Sequence, residues 1–445
     1  MSKTIYALAS ARGQAGVAVV RVSGPQAFES LKLLSDNKDI PFRKAILCKL
    51  IRPVSRETLD QAITIAFNAP HSYTGEDVVE YHLHGGRAVV DGVLGALSAQ
   101  KNHRMAEAGE FTRRAFENGK MDLTEAEAVA DLIHAETALQ KAQALSQMGG
   151  ALADMYEDWR VRLTKILAYV EAELEFPDED MPDDILDTIR PQIETLSADI
   201  DVHLNDNRRG ERLRDGIHVA VIGAPNAGKS SLVNALAQRD VAIVSDIAGT
   251  TRDVIEAHLD IAGYPVILSD TAGLRPDQIG NEGQDSIESE GIKRALKTAK
   301  NADIRVIVYD GTSKTLDEHS YALEKQDNTI AIINKADQKV LLDHPDDLLR
   351  ISVNDNENIA KFLSLLTESI ESLVGVSEAP ALTRQRHREA LTACRASLER
   401  CMNAALPELT AEDLRLAIRD LGRITGKVDV EDLLDVVFRD FCIGK

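Results

Sequence analysis

The sequence predicts a multidomain chain of two fold classes, α+β at its start and α/β further on, with helical segments flanking the α/β part. Three observations lead there. The chain has 445 residues, too many for one hydrophobic core, which sets an expectation of about two to four domains. Its first segment mixes period-two strands with helical stretches. Near its middle, a buried-type strand, a glycine-rich turn and a helix follow one another in strict order.

In chain order, Ala15 to Val22 and Ala62 to Phe67 alternate as strands, and Ala88 to Ser98 has helical spacing, so residues 1–117 form the α+β domain. From Leu123 the pattern turns helical. Leu145, Met148, Leu152, Met155, Trp159, Leu163, Ile166, Val170 and Leu174 make one continuous apolar stripe, a packing seam. Glu171 to Asp187 is acidic and broken by Pro177 and Pro182, which reads as a solvated helix end and turn. Residues 212–372 alternate strand and helix and predict a doubly wound, mostly parallel sheet. Helices resume at Leu382 to Met402, Leu414 to Leu421 (with Thr410 and Asp413 as a capping box) and Val430 to Phe441. The simplest architecture is one helical domain, 118–211 and 373–445, into which 212–372 is inserted.

Gly223-Ala-Pro-Asn-Ala-Gly-Lys-Ser230 lies between the strand His218 to Ile222 and a helix beginning near Lys229. Backbone N–H groups of such a loop, Asn226, Ala227, Gly228, Lys229, Ser230 and Ser231 here, cradle nucleotide phosphates at a helix N-terminus. Lys229 reaches the outer phosphates and the Ser230 hydroxyl suits Mg²⁺. Asp270, Thr271, Ala272 and Gly273 follow the strand Val266 to Ser269, placing a carboxylate near the metal and a glycine N–H at the γ-phosphate. Asn334, Lys335 and Asp337 end the strand Thr329 to Ile333, and the Asp337 carboxylate accepts two hydrogen bonds that guanine offers and adenine does not. Ser352 falls where a base-closing loop belongs. Together these segments predict a P-loop domain that binds GTP.

Composition excludes several other classes. A net charge of -21 repels phosphate backbones at long range, which excludes a strong sequence-neutral nucleic-acid binder. Arg208, Arg209, Arg212 and Arg214, and Arg384, Arg386 and Arg388, read as solvated linkers. Cys48, Cys394, Cys401 and Cys442 show no C-x-x-C spacing, and no apolar run reaches about 18 residues. A cytoplasmic protein that neither spans nor enters a membrane is expected.

Other segments carry a resemblance. Gly249-Thr-Thr-Arg-Asp253, Asp270-Thr-Ala-Gly-Leu-Arg275, Ser72-Tyr-Thr-Gly-Glu-Asp77 with His84-Gly-Gly86, Gly109-Glu-Phe111 with Arg114-Ala-Phe116, and the terminal Phe441-Cys-Ile-Gly-Lys445 resemble, from end to end, the tRNA modification GTPase MnmE (TrmE) family. The resemblance implies a Ras-like GTPase domain and an N-terminal domain resembling tetrahydrofolate-dependent one-carbon enzymes. It also implies a homodimer, and a heterotetramer with the FAD-dependent MnmG (GidA). Together these act on tRNA, adding an aminomethyl or carboxymethylaminomethyl group at C5 of wobble uridine 34. By resemblance, Arg21, Glu80, Lys120 and Lys445 are the folate-site positions, for a 5-formyl or methylene tetrahydrofolate derivative. Cys442 is either a reactive thiol or a small apolar residue of a docking tail. The GTPase motifs alone also fit a ribosome-assembly GTPase, or a GTP-gated scaffold without one-carbon chemistry.

Leu274 stands where Ras-type proteins carry the glutamine that orients water, so another group must do so. The resemblance places that role at Glu288, three residues before Gly291-Ile-Lys-Arg-Ala295, with Glu290 and Glu282 as alternatives. Transition-state charge could be met by Arg252 or Arg275. The resemblance instead implies K⁺ held by Asn226, Ser245, Ile247 and Thr250, within the nucleotide-contacting loop Ser245, Asp246, Ile247, Ala248, Gly249, Thr250, with Thr251 on Mg²⁺. Lys229, Thr251 and Glu288 are thus the expected catalytic set.

Overall fold

The N-terminal alternation becomes a six-stranded sheet. In the computed structural model, which describes residues 3–37, 40–175, 185–239, 243, 256–270, 300–375, 380–404, 406–428, 431–439 and 441–444, the strands are β1 (Thr4–Leu8), β2 (Ala15–Ser23), β3 (Ile46–Ile51), β4 (Thr58–Phe67), β5 (Val78–Gly85) and β6 (His103–Met105). Their order is β3-β4-β5-β2-β1-β6, antiparallel except for β1 and β6. Alternation sorts the side chains. Val20, Val22, Tyr81 and Leu83 pack with Leu31, Leu34, Val93 and Leu97 from the helices Ala27–Leu34 and Arg87–Ser98. Ile5 and Ala7 join Phe111 in a separate cluster. This sheet belongs to one of two compact units, Met1–Ala130 with Gln147–Lys165 and Ile418–Lys445; the other is Asp131–Ser146 with Ile166–Ala417.

Within the first unit, Phe438 and Phe441 pack on Leu123, Ala126 and Ala130. The C-terminal tail then runs back to the sheet, with a bridge between Ile443 and Ala108. Gly444 takes φ +105, and a Cβ there would stand 2.3 Å from the Leu8 carbonyl oxygen, so only glycine lets the tail lie this close to β1.

The second unit holds β7 (Ile217–Ile222), β8 (Glu256–Ile261), β9 (Tyr264–Asp270), β10 (Ile304–Asp310), β11 (Thr329–Asn334) and β12 (Leu349–Arg350), in the order β12-β11-β10-β7-β9-β8. All neighbours are parallel except the β8–β9 hairpin. Val219 and Val221 face the helices Lys229–Ala237 and Ile359–Val374, while Ala220 and Ile222 face Ile307, Tyr309 and Leu342 on the opposite side. Burial on both faces explains the unbroken apolar runs of these strands.

Three helical expectations are corrected. The stripe from Leu145 to Leu174 is not continuous: helix Ala138–Met148 stops before Gly149 and Gly150, helix Ala151–Glu175 begins after them, and Leu145 and Met148 are exposed. Thr410 and Asp413 do not cap a helix. Helix Pro407–Thr425 starts earlier, with proline in the first position where its missing N–H costs nothing; the buried Thr410 hydroxyl donates to the Leu406 carbonyl and Asp413 pairs with Arg400. The basic clusters are not solvated linkers either. Arg212 pairs with Asp303, Arg214 and Arg384 with Asp131, and Arg388 with Asp206 and Glu211, all inside the second unit. No helix among the described residues is long and apolar enough to cross a membrane.

Candidate nucleotide site

The parallel strands of the second sheet end at one edge, and that edge gathers the site. β7 stands between β9 and β10, so successive crossovers leave it in opposite directions, the arrangement that opens a crevice at strand carboxyl ends. Residues 223–228 leave β7 and turn into helix Lys229–Ala237. Asn226 has φ +63 and Gly228 φ +95, the left-handed turns that point successive N–H groups inward.

Lys229 is buried, and its ammonium donates to the carbonyls of Gly223 and Ala224, each at 2.8 Å. Burial pushes its pKa down, opposed by the charges of Asp270 and Asp317. The amine thus spans the loop that phosphates would fill, ready to exchange two carbonyls for charged oxygens. Asp270, buried at the last residue of β9, and the Ser230 hydroxyl in the first turn of the helix offer hard oxygen donors of the kind Mg²⁺ takes.

The segment that ends β11 is wired to the loop that leaves β7. Asn334 Nδ2 donates to the Ala227 carbonyl at 2.9 Å, and a Cβ on Gly228 would meet that Nδ2 at 2.1 Å. Lys335 (φ +63) forms a 2.6 Å ion pair with Asp310, the last residue of β10. Asp337 Oδ1 accepts from the Ser352 hydroxyl at 2.7 Å, and this bond, first among several, holds the carboxyl below its usual range. Ser352 therefore orients the proposed guanine acceptor.

In the first unit, Arg21 and Glu80 face each other across β2 and β5 in register and pair at 2.9 Å. The guanidinium lies 5.3 Å from the Tyr73 ring centroid and 5.7 Å from that of Phe111. Lys120 is exposed, its stem beside Gly75. Cys442 is exposed, and its carbonyl accepts from the Gly109 N–H. Ser245, Asp246, Ile247, Ala248, Gly249, Thr250, Thr251, Thr271, Ala272, Gly273, Glu288 and Lys445 lie outside the described residues, as do Arg252, Arg275, Glu282 and Glu290. Sequence reasoning missed Asp310. Its place at the carboxyl end of a parallel strand was the signal that could have found it.

Comparison with known proteins decides the family. The description "GTP-binding protein TrmE N-terminus" matches residues 4–120, and "MnmE helical domain" matches residues 123–442. The chain belongs to the tRNA modification GTPase MnmE family. Among its relatives, the tRNA modification GTPase MnmE of Parvibaculum lavamentivorans is 53% identical, with 100% of each chain covered. That of Paramagnetospirillum magneticum is 48% identical and that of Rickettsia canadensis 46%, again over 100% of both chains. Among solved structures, the G domain of the T. maritima FeoB iron transporter is similar at 23% identity, covering 36% of this chain and 99% of that one, with a TM-score of 0.24. Aquifex aeolicus Era bound to GDP and AlF4⁻ is similar at 20% identity over 43% of this chain and 69% of that one, TM-score 0.25.

Proposed function

We propose that this member of the MnmE family is a potassium-activated GTPase that modifies wobble uridine 34 of tRNA at C5. It works as a homodimer in the cytoplasm, within a complex with an MnmG partner. The added group is aminomethyl or carboxymethylaminomethyl, its carbon drawn from a tetrahydrofolate derivative. The observation that supports GTP use most directly is the convergence of Lys229, Asp270, Asn334 and Asp337 on one edge of a parallel sheet. Full-length identity to relatives named for tRNA modification supports the substrate. We divide the chain into a folate-binding domain 1–117, helical parts 118–211 and 373–445, and an inserted GTPase domain 212–372.

In this reading Lys229 releases the Gly223 and Ala224 carbonyls to bind the outer phosphates, and Asp337 accepts from guanine N1–H and its exocyclic amine. Ser230 and Thr251 would hold Mg²⁺, which would compensate phosphate charge. Glu288 orients the attacking water. Asn226, Ser245, Ile247 and Thr250 would hold K⁺, which would compensate the negative charge that develops in the transition state. Arg21, Glu80, Lys120 and Lys445 take the folate: the Glu80 carboxylate, held by an Arg21 guanidinium that lies against the Tyr73 and Phe111 rings, suits the donor edge of a pterin, and cations suit its glutamyl tail.

Wobble-position nucleoside analysis of a deletion strain tests this. The modified uridine should disappear, return with the wild-type chain, and fail to return with Lys229→Ala. An unchanged nucleoside profile in the deletion strain overturns the reading.

A further inference from the structure

Outside the nucleotide site, the second unit brings together three side chains that neither GTP chemistry nor tRNA modification uses. Glu324 ends the helix Glu318–Glu324, and His344 and Asp346 lie on the segment between β11 and β12. The ligand atoms of all three stand within 4.8 Å of one another. The His344 side chain is 1% exposed, walled by Tyr309 and Tyr321, whose ring centroids are 5.2 and 5.8 Å away.

Among the described residues, both hydrogen bonds to the Glu324 carboxylate fall on one oxygen. Tyr309 Oη donates to Oε2 at 2.6 Å, and His344 Nε2 is 3.1 Å from the same atom. Oε1 is left to bind something else while Tyr309 fixes the carboxylate in place. The other imidazole nitrogen has two neighbours on one residue: the Asp346 N–H at 3.1 Å and the Asp346 carbonyl oxygen at 3.3 Å. Nδ1 is therefore satisfied in either tautomer, whereas Nε2 needs its proton, or a cation, to face the Glu324 carboxylate. With Nε2 protonated, Nδ1 accepts from the N–H; with Nδ1 protonated, it donates to the carbonyl and the Nε2 lone pair points at Glu324. The second state is the one metal-bound histidines adopt, their outer nitrogen donating to a carbonyl.

We infer that Glu324, His344 and Asp346 form a binding site for a borderline divalent ion of the zinc(II) class. Ligands about 2.0–2.2 Å from zinc stand roughly 3.3 Å apart in a tetrahedron. Closing from the present spacing asks little, because Asp346 is exposed and no hydrogen bond or ion pair holds its carboxylate among the described residues. One imidazole with two carboxylates selects a borderline ion over Mg²⁺, which prefers an all-oxygen octahedron. Bound metal would tie the end of the 318–324 helix to the segment that follows Asp337.

The test is a zinc titration of the full chain against a chromophoric chelator, after metal removal, with Co²⁺ as a spectroscopic stand-in. One ion per chain is expected, with the visible bands of four-coordinate Co²⁺ and a thermal midpoint that rises with zinc. Asp346→Ala, a surface change that leaves the fold and GTP affinity intact, should weaken zinc binding about tenfold or more. His344→Ala should remove the Co²⁺ bands, whereas Cys442→Ser should leave them. Zinc binding that both Asp346→Ala and His344→Ala leave unchanged, displacement by excess Mg²⁺, or no binding at micromolar zinc overturns the site.

Discussion

Asn334 Nδ2 donates to the Ala227 carbonyl at 2.9 Å, joining the end of β11, where we propose guanine recognition, to the loop after β7 proposed to bind the phosphates. Both groups are buried, so the bond fixes the spacing between the two loops and, in the proposed reading, between the two ends of a nucleotide. The Val353 N–H leans on the other side of the same amide, at 3.4 Å from Asn334 Oδ1, which brings the Ser352 segment under the same control.

Gly228 tests that coupling. Its φ of +95 is strained for any other residue, and a Cβ would stand 2.1 Å from Asn334 Nδ2. Gly228→Ala must push the amide away and leave a buried carbonyl without its donor, a loss of about 1–3 kcal/mol. GTP affinity, measured by titration with a fluorescent analogue, should fall about tenfold or more. Undiminished affinity would show that the two loops are not set by this contact.

Asp337→Asn should exchange guanine for xanthine. The carboxylate accepts from guanine's amine, whereas an amide can donate to the 2-oxo group of xanthine. The Ser352 hydroxyl can still donate to the amide oxygen, so the side chain keeps its orientation and only its chemistry changes. Competition between GTP and xanthosine triphosphate reads the outcome. A variant that still prefers guanine would remove Asp337 from the base site.

Much of this was legible because strand carboxyl ends are local signals. A buried apolar run followed by Gly223 to Ser230, by Asp270, or by Asn334 to Asp337 fixes both the element and its active end. What escaped was nonlocal. Nothing near Arg384 announces Asp131, 253 residues away, and nothing near Lys335 announces Asp310. Thr410 and Asp413 have capping-box spacing, yet Pro407 starts the helix one turn earlier and turns Thr410 onto the Leu406 carbonyl. Gly149 and Gly150 break a stripe whose spacing alone is continuous.

His203, one of the buried histidines of the second unit, sets a pH limit. Burial first, and then the nearby His387 and the cations Arg388 and Arg209, push the His203 pKa down to about 4, with Asp206 opposing. In the unfolded chain the ring titrates near its ordinary value of about 6.5. The folded state thus holds the neutral ring, and protons favour unfolding. Its contribution is fully present above about pH 6.5, shrinks as pH falls, and has gone near pH 4, a loss on the order of 3 kcal/mol. As pH falls through this range, the thermal midpoint of wild type should drop relative to that of His203→Phe. Parallel curves would show that His203 does not drive the acid limit.

Potassium is the sharpest test of the hydrolysis mechanism, and Asn226 can be probed in two ways. Its φ of +63 already gives it a structural reason to be there, since asparagine tolerates left-handed geometry. Two substitutions separate the turn from the ligand. Asn226→Gly keeps the turn and removes the side-chain oxygen, whereas Asn226→Ala removes the oxygen and strains the turn as well. If the oxygen holds K⁺, hydrolysis by both variants should lose its potassium stimulation, and replacing K⁺ with Na⁺ at constant ionic strength should slow the wild type to a similar rate. In a site built for K⁺, the smaller ion would fit poorly and would compensate the charge of the transition state less well. If Asn226→Gly keeps full stimulation while Asn226→Ala does not, the residue serves the turn alone. Equal wild-type rates in both salts, together with an inactive Arg252→Ala or Arg275→Ala, would transfer the task to an arginine.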